Sequence, residues 1–174
     1  MIEIVKQGIT QADVDAVVNA ANEGLRAGGG VCGAIFEEAG FDEMRAACAA
    51  IGHCDTGDVV ITPGFALKAR YVIHAVGPVW SGGHSGEAEL LASCYSRAID
   101  LAVENDCESI AFPLISSGIF GYPKEDAWRV AIASCSAKLD QLGDRAPAVT
   151  FCVISDSSRD LGEKLLAAWF AEDR

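Results

Sequence analysis

The sequence predicts an α/β fold built on a largely parallel central sheet. Short apolar runs of strand length alternate with longer segments of helical periodicity, and two glycine-bearing loops leave strands at their carboxyl ends. With 174 residues, 51% of them hydrophobic, the chain is long enough to bury a substantial core. Neither an internal repeat nor a linker interrupts it, so one domain over residues 1–174 is expected.

The elements follow in order. Ile2, Ile4 and Val5 suggest a strand ending at Lys6, with a turn at Gln7-Gly8 and a short helix capped by Thr10. Ala16 to Asn19 reads as a short buried strand. A helix is expected from Val31 to Ala39, and Asp42 is suited to cap a second one running to Ile51. Asp58 to Thr62 and Tyr71 to Val76 are strands, the first stopped by Pro63-Gly64. From Glu87, the apolar residues Leu90, Leu91, Cys94, Tyr95, Ala98, Leu101 and Ala102 keep helical spacing. Ser109 to Leu114 is the next strand. After the loop from Ile115 to Tyr122, Pro123 suits the first turn of a helix with Trp128, Ile132, Cys135, Leu139 and Leu142 on one face. A last strand, Val149 to Ile154, leads to a terminal helix from Ser158 to Phe170.

Composition narrows the function. A formal charge of −12 leaves no basic stripe to neutralise a phosphate backbone, which argues against general nucleic-acid binding but not against one bound phosphate group. Seven cysteines, without a CxxC pair and mostly at apolar positions, read as reduced thiols of a cytoplasmic protein. No run reaches membrane-spanning length, and the start has no long apolar signal core. His53, His74 and His84 show no metal spacing, and His74 reads as a satisfied core residue. Neither a metal nor a cofactor is expected.

The stretch from Val17 to Ile35 carries the chemistry. An apolar run ends in Asn19-Ala-Ala-Asn22, and Gly28-Gly29-Gly30 open a helix. Glycines let the backbone approach a ligand, and the unpaired N–H groups of a helix start attract an anion. Gly28, Gly30 and Gly33 match GxGxxG, but the spacing from Asn19 is too long for a dinucleotide fingerprint and no acidic residue ends the following strand. Nor does Gly-Lys-Ser/Thr follow either glycine run, so ATP-dependent phosphoryl transfer is unsupported. Ser116, Ser117, Gly118 and Gly121 form a second donor loop, and two opposed loops suit a diphosphate. Asn22 is either a turn former or a contact to a sugar hydroxyl.

Together these segments resemble the macrodomains, which bind ADP-ribose. The matches are Val-Asn19-Ala-Ala-Asn22, Gly28-Gly-Gly-Val-Cys-Gly-Ala-Ile35, Thr56-Gly57, Tyr71-Val-Ile-His-Ala-Val-Gly-Pro78 and Ile110 to Pro123, in the family's order. The resemblance is greatest to the MacroD-type branch, whose members hydrolyse O-acetyl-ADP-ribose and ADP-ribose esters of protein carboxylates. It implies a three-layer α/β/α sandwich with a mixed sheet, and ADP-ribose, O-acetyl-ADP-ribose or mono-ADP-ribosylated proteins as partners. It also implies that the backbone of Gly29, Gly30, Val31, Cys32 and Gly33 and of Ser116, Ser117, Gly118, Ile119, Phe120 and Gly121 holds the diphosphate. Asn22 would face the distal ribose, with Phe120 near it.

Three positions depart from the branch. Cys32 stands where an Asp is proposed to activate water, and Phe36 where a His is usual. Gly8 replaces an Asp that accepts from the adenine amino group, so adenine recognition falls to a backbone contact near Ile9, to Asp156, or to apolar packing; Ile154 stands where the family often has an aromatic residue near the adenine. Water held between the ligand's phosphate and an amide still permits ester hydrolysis. Asn22 is the expected organiser of that attack. Cys32, at a helix N-terminus, is the other catalytic candidate. A non-catalytic ADP-ribose reader is the alternative reading.

Overall fold

The computed structural model describes residues 1–172, and the last two positions of the expected domain lie outside the described residues. Six strands form one sheet in the order β1-β6-β5-β2-β4-β3. They are β1 (Ile2–Lys6), β2 (Ala16–Ala20), β3 (Val59–Pro63), β4 (Tyr71–Ala75), β5 (Ser109–Phe112) and β6 (Ala148–Val153). All neighbours run parallel except β3, which pairs antiparallel with β4 at one edge. The sheet is therefore mixed and largely parallel.

Helices cover both faces, because alternate side chains of each central strand must be buried on opposite sides. On one face Val17, Val72, Ala111 and Cys152 meet α1 (Gly30–Ala39) and α2 (Phe41–Ile51), through Ile35, Phe36, Met44 and Cys48. On the other, Ala16, Val18, Ile73, Ile110, Phe112 and Phe151 meet α3 (Glu87–Glu104), α4 (Lys124–Leu142) and α5 (Asp156–Ala171). The result is a three-layer α/β/α sandwich.

Four fully buried aromatic side chains centre the second face. Phe151 stacks on Phe112 with ring centroids 5.6 Å apart, and Trp128 meets it edge-on at 5.3 Å. Tyr95 lies 5.1 Å from Phe112, and its hydroxyl accepts from the Ile115 N–H at 3.0 Å. That bond ties the core to the loop that follows β5.

Element ends depart from expectation in local ways. The short helix is a 3-10 turn at Ile9–Gln11 that starts after Gly8, so Thr10 lies inside it rather than capping it. Gly40, at φ 112°, both ends α1 and opens α2, which puts Asp42 in the first turn instead of at the cap. Pro123 precedes α4 in extended conformation rather than sitting in its first turn. The terminal helix begins at Asp156, because Ser155 accepts from the Ser158 N–H at 3.2 Å and caps it.

Phe151 touches three other rings, so Phe151→Ala should open a cavity that rigid neighbours cannot close. A loss of about 3–5 kcal/mol in unfolding free energy is expected from urea titration.

Candidate functional site

The strand ends on either side of β2 part company, and this opens a cleft. β2 pairs with β5 only at Ala16↔Ile110 and Val17↔Ala111, whereas it continues along β4 to Ala20↔Ala75. Beyond Val17, the two chains leave room between Ala20-Ala21 and Pro113-Leu114. A cavity of about 570 Å³ fills that space, at the carboxyl ends of β2, β5 and β6. The order of the sheet reverses here: β2 leads through α1 and α2 to the strands on one side, and α3 carries the chain to the other. Ligands of open α/β sheets bind at such switch points.

The first glycine loop forms one wall with Gly28, Gly29, Gly30, Val31 and Cys32. Gly29 flanks α1 without any side-chain cap, so the first-turn N–H groups point outward with the positive end of the helix dipole. Gly33 is needed one turn in, since a Cβ there would collide with the Gly28 carbonyl oxygen. Ser116, Ser117, Gly118, Ile119 and Phe120 form the facing wall. Ser116 has a left-handed φ of 67°, and its buried hydroxyl has no hydrogen-bond partner among the described residues. A buried hydroxyl on a cavity wall invites a polar group from a ligand.

Several lining residues escaped the sequence reading. Lys124, the first residue of α4, supplies the cavity's cation. Cys152, Val153, Ile154, Ser155 and Ser158 close the far end. The signal for Lys124 was a basic residue directly after the Gly-Tyr-Pro that ends the second loop. Burial, with Glu3 adding to it, pushes the Cys152 thiol up to about 11, so it packs rather than reacts. No acidic side chain and no histidine lines the cavity among the described residues.

Four of the expected contact residues lie outside the lining. Ile9 is 5% exposed and packed in the core with Val17 and Val76. Gly33 faces Gly28, and Gly121 lies beyond Phe120, its N–H closing back on the Gly118 carbonyl. The Asp156 carboxylate is paired with Lys6 at 3.2 Å and Arg159 at 3.3 Å.

The two asparagines do different work. Asn22, at the cavity, clasps its own loop: its carboxamide donates to the Arg26 carbonyl at 2.9 Å and accepts from the Arg26 N–H at 3.0 Å. One N–H and one lone pair are left over for a ligand. Asn19 is buried and donates to Cys32 Sγ at 3.6 Å and to His74 Nδ1 at 3.1 Å. His74 Nε2 meets the Thr62 hydroxyl at 3.0 Å, and that hydroxyl donates to Met44 Sδ. This run of donors places the ring proton on Nε2, and desolvation holds the imidazole down at about 4. Cys32 Sγ donates to the Arg26 carbonyl at 3.6 Å, so its polar bonds turn inward, toward the loop and Asn19. The amide of Asn19 stands between it and His74.

Away from the cavity, the exposed residues Glu23, His53 and Asp55 bring three donor atoms within 4.8 Å of one another. His53 pairs with Asp55 at 2.7 Å, and the Glu23 carboxylate accepts from both the N–H and the hydroxyl of Thr56. These bonds anchor the loop that carries Asn22. No helix of the described residues is long and apolar enough to cross a membrane.

A sheet opened at its switch point, with two glycine loops facing each other over the gap, defines an α/β sandwich with one cleft walled by backbone amides. The chain belongs to the macro domain family, whose model matches residues 18–131. A macro domain-containing protein of Chlorobaculum tepidum is 50% identical over 169 residues, covering 97% of this chain and 96% of that protein. The ADP-ribose glycohydrolase MACROD2 of Xenopus laevis is 42% identical over 174 residues, 99% of this chain but 41% of that longer protein. Among solved structures, the Oceanobacillus iheyensis macrodomain with ADP superposes with a TM-score of 0.92 at 34% identity, covering 99% of this chain and 93% of that one.

The His74 environment makes stability depend on pH. The unfolded imidazole takes its proton near pH 6.5 and the folded one only near 4, so folding free energy falls as pH drops between those values. The loss should approach about 3 kcal/mol once both forms are protonated. Urea titrations from pH 7.5 to 4.5 should show this slope in the wild type and a shallower one in His74→Gln. Comparing slopes keeps the test separate from the cost of the substitution.

Proposed function

We propose that the cavity binds ADP-ribose and that the protein hydrolyses ADP-ribosyl esters. The substrates would be O-acetyl-ADP-ribose and mono-ADP-ribose on acidic protein side chains. The observation that carries this reading is the pairing of two donor-rich walls, Gly28 to Cys32 and Ser116 to Phe120, across one cavity with Lys124 at its rim. Facing amide walls spread donors over both groups of a diphosphate, and the Ser116 hydroxyl adds one more. The match to a relative named as an ADP-ribose glycohydrolase and to a macrodomain solved with ADP supports the same ligand class.

Adenine would lie along the apolar far end, against Cys152 and Ile154, with the Ser155 and Ser158 side chains for polar contact. Asp156, tied to Lys6 and Arg159, is a weaker candidate for it. The distal ribose would face Asn22, whose amide is already oriented by Arg26 and loses little freedom on binding. Water held between that amide and the ligand's own phosphate would attack the ester carbonyl. Amides of the glycine loops would stabilise the oxyanion, and the acyl–oxygen bond to the ribose would then break. One proton of the water would pass by way of the ligand's phosphate to the ribose oxygen and the other to solvent, and the carboxylate product would leave with ADP-ribose still bound. In this scheme Cys32 is a small packing residue, consistent with its inward bonds to Asn19 and Arg26.

One observation favours the reader alternative. With no Asp, Glu or His among the lining residues, the chain itself offers no general base at the cavity. Turnover discriminates the two, because both require binding. Release of ADP-ribose should be measured from O-acetyl-ADP-ribose and from a glutamate-ADP-ribosylated protein. Asn22→Ala should lower kcat about 100-fold through misplacement of the ribose and water, while Cys32→Ala should keep it within about threefold. Loss in Cys32→Ala alone would overturn water attack organised by Asn22. Wild-type protein that binds ADP-ribose by calorimetry but turns over neither ester would be a reader.

A further inference from the structure

The second cavity loop is braced from outside by contacts that begin at a buried carboxylate. Glu87 is the first residue of α3 and is 2% exposed. Its carboxylate accepts from the Ser81 N–H at 2.9 Å, the Ser81 hydroxyl at 3.1 Å, the Gly83 N–H at 3.0 Å and the Ser85 N–H at 2.6 Å. The Ser81 amide foremost, opposed by burial and joined by the amides of Glu87 itself, Gly83 and Ser85, holds the carboxyl down at about 2. The residues from Ser81 to Gly86 are all exposed, so apolar burial contributes little to holding them. An anion at their centre organises them instead.

The brace passes to the cavity through Trp80. Its backbone N–H donates to the Phe120 carbonyl at 2.8 Å, and its indole packs on Tyr122 with centroids 4.6 Å apart. Gly83 lies against the indole so closely that a Cβ there would come within 2.8 Å of the ring. Tyr122, 3% exposed, donates its N–H to the Ser116 carbonyl at 2.9 Å and so closes the loop whose residues Ser116 to Phe120 line the cavity. Glu87 itself is not among the lining residues.

We propose that Glu87 is a positioning residue for the bound ligand: by gathering the turn from Ser81 to Ser85 it sets Trp80 against Phe120 and Tyr122, and thereby fixes the donor wall from Ser116 to Phe120. This rests on the reading of the cavity as an ADP-ribose site. Replacing the carboxylate by a carboxamide turns one acceptor oxygen into an N–H donor facing other donors, with almost no change of shape. Energy transmitted through such a chain of contacts is typically worth about 2- to 30-fold in affinity.

The test compares wild type, Glu87→Gln, Trp80→Ala and the double variant by hydrogen exchange and by calorimetry with ADP-ribose. Exchange of the Gly121 and Tyr122 amides should quicken in Glu87→Gln while that of β2 and β4 stays unchanged. ADP-ribose should bind about 2- to 30-fold more weakly. In the Trp80→Ala background, which removes the indole contact with Tyr122 and keeps the backbone N–H bond to Phe120, Glu87→Gln should cost less affinity than it does alone. Unchanged exchange at residues 116–122, a uniform rise across the chain, or undiminished affinity in Glu87→Gln would each overturn the proposal, as would full additivity with Trp80→Ala. Failure of the wild type to bind ADP-ribose would sink the cavity reading by itself, and the exchange pattern would still decide whether Glu87 holds the loop.

Discussion

The early parting of β2 from β5 is the constraint on which the rest of this structure depends. Two paired positions join the halves of the sheet, and everything beyond Val17 and Ala111 must be stabilised by other means. A gap between parallel strands exposes backbone donors and acceptors that a continuous sheet would pair. Part of the solution is local: the Ala21 N–H bonds the Ala75 carbonyl, and the Ile115 N–H bonds the Tyr95 hydroxyl. What remains at the gap, the outward amides of α1 and the wall at Ser116 to Phe120, lines the cavity. The opening thus lies at the junction of the described sheet with the fewest paired positions.

The floor behind this opening is polar inside an apolar layer. Asn19, His74 and Thr62 are each almost fully buried and come from three adjacent strands, β2, β4 and β3. Met44 of α2 and Cys32 of α1 complete the set. The hydrogen bonds run across the strand order and link both helices to the sheet at one depth. Such a network specifies register, since a shift by one residue would strand several polar groups in the core. The side-chain oxygen Oδ1 of Asn19 has no hydrogen-bond partner among the described residues.

Much of this was legible in the sequence. Alternating strand and helix segments forecast the layers, and the two glycine runs located both walls of the cavity, because glycine at a strand end is needed for a specific backbone approach. What escaped was mostly contact at long sequence separation. Nothing local to His74 indicates Asn19, which lies 55 positions away, although its apolar neighbours did forecast a buried, satisfied ring. Asn22 allowed two readings, and the structure draws on the turn-forming one through Arg26 while leaving the amide at the cavity. Helix starts shifted by two or three residues where Gly40 and Ser155 supplied better termini than Asp42 and Ser158.

The protein carries a formal charge of −12, while its cavity is lined by amides, hydroxyls, apolar side chains and one lysine. Its long-range field therefore opposes the approach of any anion, and attraction begins only within the reach of the loop dipoles, over roughly a Debye length of ~8 Å. Capture is governed by fit at short range rather than by steering. The repulsion grows with the charge of the approaching anion, so a polyanion such as a nucleic acid is opposed more strongly than a small phosphorylated molecule. An acidic body around a pocket that holds a single cation acts as a kinetic filter.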